Sequence, residues 1–371
     1  MVKQHHARTL HLHIGETKTG SSYIQANLFR DRALLRQRGI VYPPGPNDQD
    51  MIKNPSVGQP NATRPFLIER TSLPRSLQNI PRDHDALISS ELLLDEIIDG
   101  GDLSGLNNSM ARPFARVGLN RLLEMANAAG YQKLRLLVLI RDPIPHAVSW
   151  YNQIVKIHRH TGTLEETFQN FGGPTRVARL LSDAEHLPDV EVTVRKYESV
   201  RKHLMETFYS WLGIEKKDHA ALTAPVINRS LSPIELALQR ELNMLLGAKA
   251  PRLAMHPDFH KLKNIGDAVV YPGLQCQKDM QSRLEPSARF VNQYVPEGHE
   301  YAFDLTEGAQ PEGLYQVTSE QIDFLARVWS DSNKAARRER KRWPSRARNA
   351  LRKIRNLTHA RSKMNYPLQT K

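Results

Sequence analysis

The sequence predicts an α/β protein, a three-layer sandwich around a central parallel sheet of about five strands. Three observations predict it. Short segments of strand character alternate with longer segments of helical spacing, the order expected of a parallel sheet covered on both faces. One strand segment, Leu134–Ile140 (LRLLVLI), is apolar almost throughout, as a strand buried on both faces is. Polar clusters follow Ile14, Ile88 and Ile140, and ligands of such sheets sit at the carboxyl ends of the strands.

Taken in order, Thr9–Ile14 (TLHLHI) alternates apolar and polar residues and runs into Gly15, like a strand feeding a glycine turn. Ser21–Arg38 places Ile24, Leu28, Leu34 and Leu35 at helical spacing. Gly39–Tyr42 is a short apolar strand stopped by Pro43 and Pro44. Residues 43–65, rich in Pro, Asn, Gly and Gln, read as a long surface loop, either facing an acceptor or a mobile insertion. Asp85–Ser90 (DALISS) is the next strand, and a helix inside Leu106–Ala129 ends near Gly130. After Leu134–Ile140, Pro145–Lys156 is helical and Val190–Lys196 (VEVTVRK) alternates as the last strand. Helical patterns then dominate, including Pro233–Leu246 and Ser319–Trp329.

Of the 371 residues, 40% are hydrophobic, enough for a substantial core, and no stretch approaches the ~20 apolar residues of a membrane-spanning helix. The first residues hold no apolar run before a small-residue cleavage site, so a signal peptide is not expected. The single cysteine, Cys276, fits a reducing, cytoplasmic setting. The formal charge of +13 is local: residues 334–371 hold 14 Lys and Arg against one acid, Glu339, so residues 1–333 balance at zero. The high charge therefore describes a tail, and nucleic acid is not an expected partner of the body.

Two clusters carry the chemistry. The first runs Gly15-Glu16-Thr17-Lys18-Thr19-Gly20-Ser21-Ser22 between a strand and a helix. Backbone N–H groups and the positive helix end make such a turn an anion site, to which Lys18 adds a charge and Ser21 and Ser22 add hydroxyls. Gly15 and Gly20 have the spacing of a nucleotide-triphosphate loop, but Ser21 stands where that loop has its lysine, and Lys18 lies inside the turn. The bland alternative is a capped helix start. The second cluster is Arg141-Asp142-Pro143, with Ser149 eight positions after Arg141. An arginine ending a buried strand needs a partner, and a phosphate suits its guanidinium fork. Asp142 or another acid at the sheet edge would serve as well.

TKTGSSYIQ after a strand, RDP followed by Ser149, and NRSL at Asn228–Leu231 together resemble the PAPS-dependent sulfotransferases, above all the bacterial and carbohydrate types. The resemblance spans about residues 10–232 and implies their P-loop NTPase-like fold; with no boundary that forces a second domain, residues 1–333 read as one catalytic domain. It implies transfer of a sulfuryl group from 3′-phosphoadenosine 5′-phosphosulfate (PAPS) to an acceptor hydroxyl or amine, with PAP as product and no metal. Thr17, Lys18, Thr19, Gly20, Ser21 and Ser22 would hold the 5′-phosphosulfate, Arg141 and Ser149 the 3′-phosphate. Asn228, Arg229 and Ser230 fall where the family has a late cofactor-binding loop, with a looser match. Lys18 would be catalytic, and Glu91, directly after DALISS, is the candidate base in the neighbourhood where carbohydrate-type members have a glutamate. Its alternative is a first-turn acid of the helix ELLLDEII. His84 precedes its strand, at the wrong end, and His146 follows RDP; both are fallback bases. His11 and His13, with His5 and His6, read as a solvated or partly packed N-terminus.

Competing readings are a P-loop nucleotide kinase and a non-catalytic glycan- or membrane-binding protein on the same fold. A glycan or glycolipid is the expected acceptor. In the tail, Trp343, Ala347, Leu351, Ile354 and Leu357 form an apolar stripe among the arginines of residues 337–363. That pattern suits a helix lying on an anionic membrane surface at the inner face, or one packed on the body.

Overall fold

The computed structural model describes residues 7–16, 18–43, 77, 79–90, 93–98, 118–215, 231–255, 259, 269–307, 321, 324, 325, 327 and 328. These fall into two compact units: Met1–Trp150, Leu164–Ile227 and Tyr271–Gly308 form one, and Tyr151–Thr163, Asn228–Val270 and Ala309–Lys371 the other.

The first unit holds a five-stranded, all-parallel sheet of β1 (Thr9–His13), β2 (Ile40–Val41), β3 (Asp85–Ser89), β4 (Lys133–Ile140) and β5 (Val190–Lys196), in the order β2-β3-β1-β4-β5. The expected fold class and all of its strands are therefore present. Register sets the faces: His11 lies between Leu87 and Arg135, and His13 between Ser89 and Leu137. Leu10, Leu12, Leu136, Val138 and Ile140 consequently point the other way, and all are buried.

The face carrying Leu87, Leu137 and Leu139 is covered by α1 (Ser21–Arg30), α2 (Arg32–Gln37) and α9 (Leu204–Trp211), through Ile24, Leu28, Leu35, Leu204 and Phe208. α3 (Leu93–Ile98), α4 (Leu119–Ala128), α6 (Leu164–Asn170), α7 (Gly173–Glu185) and α11 (Leu274–Asn292) form the other layer: α4 packs on β4, α7 on β5, α11 on α6 and α7. α5 (Pro143–His158) follows β4, and a single turn, α8 (Tyr197–Val200), follows β5.

The single helix expected over Ser21–Arg38 is two helices broken at Asp31. Tyr209 donates its hydroxyl to Asp31 Oδ2 at 2.6 Å, and Arg30 Nε and Nη2 donate to the same carboxylate at 2.5 and 2.6 Å. Asp31, at the break, thus has a tertiary partner, which helical spacing cannot announce. His11 and His13 also depart from expectation: they are 3% and 0% exposed, inside the sheet layer. His11 Nε2 lies 3.3 Å from Asp85 Oδ2 and its ring meets Trp211 edge-on, while His13 Nδ1 shares a 2.8 Å hydrogen bond with Ser89 Oγ. Their partners come from β3 and α9, far away in sequence.

In the second unit, α10 (Pro233–Leu246) has the bounds expected of it, and Leu231, Leu242, Ala250, Leu253, Phe259, Phe324 and Val328 form its core. Ser319–Trp329 lies only partly within the described residues, and the loop 43–65 and the tail 334–371 lie outside them apart from Pro43. Among the described residues, no helix is long and apolar enough to cross a membrane.

Candidate functional site

The strand order turns at β1 and β4, whose following loops meet at the carboxyl edge of the sheet, where such sheets have their ligand crevice. The two sequence clusters meet at that edge. Ile14 N–H donates to Leu137 O at 2.8 Å and Glu16 N–H to Leu139 O at 3.0 Å, carrying the β1–β4 ladder past the end of β1. The chain then turns. Thr19 Oγ1 donates to Glu16 O at 2.6 Å, Lys18 adopts φ 70° and Gly20 φ 84°. A Cβ on Gly20 would come within 2.7 Å of Leu204 Cδ2, and one on Gly15 within 2.7 Å of Thr19 Oγ1. Gly20 needs its glycine for the left-handed backbone, and a Cβ at Gly15 would displace the Thr19 hydroxyl.

Gly20 is the N-cap of α1, and no side chain caps that helix. Tyr23 N–H turns back to Gly20 O at 2.9 Å, while the N–H groups of Ser21 and Ser22 have no partner among the described residues and can face an anion. Ser21, only 5% exposed, has a hydroxyl without a partner among the described residues. Beneath the turn, burial drives the His13 imidazole down to about 3, so it is neutral at working pH.

Arg141 follows β4 directly. Its N–H donates to Glu16 Oε2 at 3.0 Å, and its Nε donates to Glu198 Oε1 at 3.1 Å. The acid-pairing alternative thus holds in part: Glu198 takes Nε, and both Nη groups have no partner among the described residues. Asp142 does not pair with its neighbour. Its Oδ2 accepts from Ala302 N–H at 3.0 Å and Phe303 N–H at 3.1 Å, and Lys196 Nζ lies 3.5 Å away. Ser149 is half-buried two turns into α5.

Behind the crevice, the fallback base His146 is buried against the turn residue Glu16, a pairing that the sequence did not announce. Glu16 is 2% and His146 1% exposed, and His146 Nδ1 lies 3.3 Å from Glu16 Oε2 without hydrogen-bond alignment. Phe171 meets the His146 ring edge-on, and Gly173 packs against Glu16 Oε1. The Tyr301 phenol is held well above its usual range by burial and then by Glu16. The one signal for these residues was an acid standing inside a glycine turn.

Thr17, Glu91, Asn228, Arg229 and Ser230 lie outside the described residues. β3 ends beside β1, where Ser90 N–H donates to His13 O at 3.0 Å. His84 sits at the opposite end of β3, hydrogen-bonded to Asp83.

No family model matches the chain, and no curated protein sequence does. Among solved structures, a sulfotransferase from Alicyclobacillus acidocaldarius aligns at 14% identity and TM-score 0.35, over 78% of this chain and 96% of its own. A retinol dehydratase in complex with androsterone and inactive cofactor PAP aligns at 13% identity and TM-score 0.30, over 92% and 84%. Likeness of that degree says nothing of what the chain does.

Proposed function

We propose that the protein is a PAPS-dependent sulfotransferase acting on the hydroxyl or amine of an acceptor, a carbohydrate or glycolipid by the resemblance of its motifs. The observation that carries the reading is the uncapped start of α1 behind the Lys18 turn, with Arg141 one strand away. A nucleotide carrying phosphates at both ends of its ribose matches two separate anion sites, one a backbone turn and one a guanidinium. The buried Ser21 hydroxyl, lacking a partner among the described residues, fits a phosphate oxygen.

PAPS supplies the sulfuryl group: the acceptor oxygen or nitrogen bonds sulfur in line as the sulfur–oxygen bond to the 5′-phosphate breaks, leaving PAP. Lys18 and the amides of the turn stabilise charge growing on that phosphate, the type of preorganised contact worth about 3–4 kcal/mol. Arg141 holds the 3′-phosphate through its Nη groups, with Ser149 as a further contact. Glu91, which follows Ser90 in the chain, takes the acceptor proton. The basic stripe of residues 337–363 rests on an anionic membrane at the cytoplasmic face, close to a lipid-linked acceptor.

Calorimetry with adenosine 3′,5′-bisphosphate, ADP and ATP·Mg²⁺ tests the donor site. Binding of the bisphosphate well ahead of the other two is the expected result. Preference for ATP·Mg²⁺ would make the protein a nucleotide kinase, and binding of none would make it a non-catalytic binding protein.

A further inference from the structure

Glu16 is tied at three points, each to a different part of the crevice. Its N–H donates to Leu139 O at 3.0 Å, its carbonyl accepts from Thr19 Oγ1 at 2.6 Å, and its Oε2 accepts from Arg141 N–H at 3.0 Å. The first contact anchors the turn to β4, the second shapes the turn, and the third reaches across to the residue that ends β4. The carboxyl group that makes the third contact is 2% exposed, an expensive place for an acid. A glycine, Gly173, leaves room for its other oxygen, and the buried His146 ring stands 3.3 Å from Oε2. The surroundings are shaped around this one side chain.

We propose that Glu16 is a positioning residue that sets the span between the Lys18 turn and Arg141, and thereby the preference for a nucleotide phosphorylated at both 5′ and 3′ positions. The turn holds one phosphate and Arg141 the other, so the distance between the two anion sites is the quantity a bisphosphate measures. Glu16 is the side chain that joins them, and it touches neither phosphate. The inference rests on the donor-site reading above.

The test is calorimetry on the full chain with two probes, adenosine 3′,5′-bisphosphate and 5′-AMP, which lacks the 3′-phosphate. Glu16→Met keeps the volume and removes the acceptor; Glu16→Gln keeps an acceptor oxygen for Arg141 N–H. Glu16→Met should lower bisphosphate affinity about tenfold while 5′-AMP affinity changes less than about threefold. Glu16→Gln should stay within about threefold of wild type for both probes. Equal weakening of both probes in Glu16→Met, or an unchanged ratio, overturns the positioning role even though wild type binds the bisphosphate. A wild type that binds the bisphosphate no better than 5′-AMP removes the donor-site reading itself, and this role with it. Should Glu16→Met fail to fold, hydrogen exchange on wild type decides. Adding 5′-AMP alone should slow exchange at the Arg141 amide, and an unchanged rate there overturns the coupling.

Discussion

At the scale of single residues, the crevice holds the Lys18 charge on backbone that few residue types adopt. Lys18 sits at φ 70°, a conformation that costs a side chain of this kind about 1 kcal/mol, and such strain gathers at functional turns. Lys18→Ala keeps the turn and removes the cation. Turnover with PAPS should fall roughly 10²–10³-fold with an unchanged circular-dichroism spectrum, and normal turnover would sink the assignment. His13 yields a second expectation. Its folded value, about 3, lies below the unfolded value of 6.5, so the unfolded chain takes up a proton that the folded chain refuses. The His13 contribution is therefore complete above pH 6.5 and is lost as pH falls toward 3. Between pH 6.5 and 5, wild type should lose up to about 1.4 kcal/mol per pH unit more than His13→Gln, read from urea unfolding. Parallel curves would mean that His13 does not resist protonation.

At the scale of elements, local grammar and tertiary demand can be compared within single helices. α10 begins at Ser232-Pro233-Ile234-Glu235, and both halves of a capping box are formed: Ser232 Oγ accepts from Glu235 N–H at 3.4 Å, and Glu235 Oε2 from Ser232 N–H at 2.8 Å. A helix whose start signal lies in four consecutive residues is legible, and its bounds came out as read. Ser232→Ala should cost about 1 kcal/mol in chemical denaturation, and an unchanged midpoint would show the cap to be idle. α1 and α2 are the opposite case. Their apolar spacing runs on through Asp31, where the break falls and where the carboxylate accepts from the Tyr209 hydroxyl, 178 positions later. A period of 3.6 residues records which face is buried, and a polar contact from another helix leaves no trace in it.

At the scale of the whole molecule, charge and fold are separable. The +13 resides in residues 334–371, and residues 1–333 are neutral. Removing the tail should leave bisphosphate binding unchanged while abolishing salt-sensitive binding to vesicles rich in anionic lipid, read by co-sedimentation. Retained vesicle binding would move the membrane contact to the body. The sheet order matters in a different way. With β1 between β3 and β4, the Gly15–Gly20 turn, the end of DALISS and Arg141 come to one edge of the first unit, although they are scattered over well over a hundred positions of the chain.

By itself the sequence determined the α/β class, the strands and the glycine turn with its internal lysine, because periodicity and turn chemistry are written in runs of a few neighbouring residues. Tertiary structure alone decided the strand order, the burial of His11 and His13, the grip of Glu198 on Arg141 and the tie from Glu16 to the Arg141 amide. The two contacts to Arg141 join residues up to 125 positions apart, and an acid that will be buried looks the same in sequence as one that will face water until the fold supplies its partner.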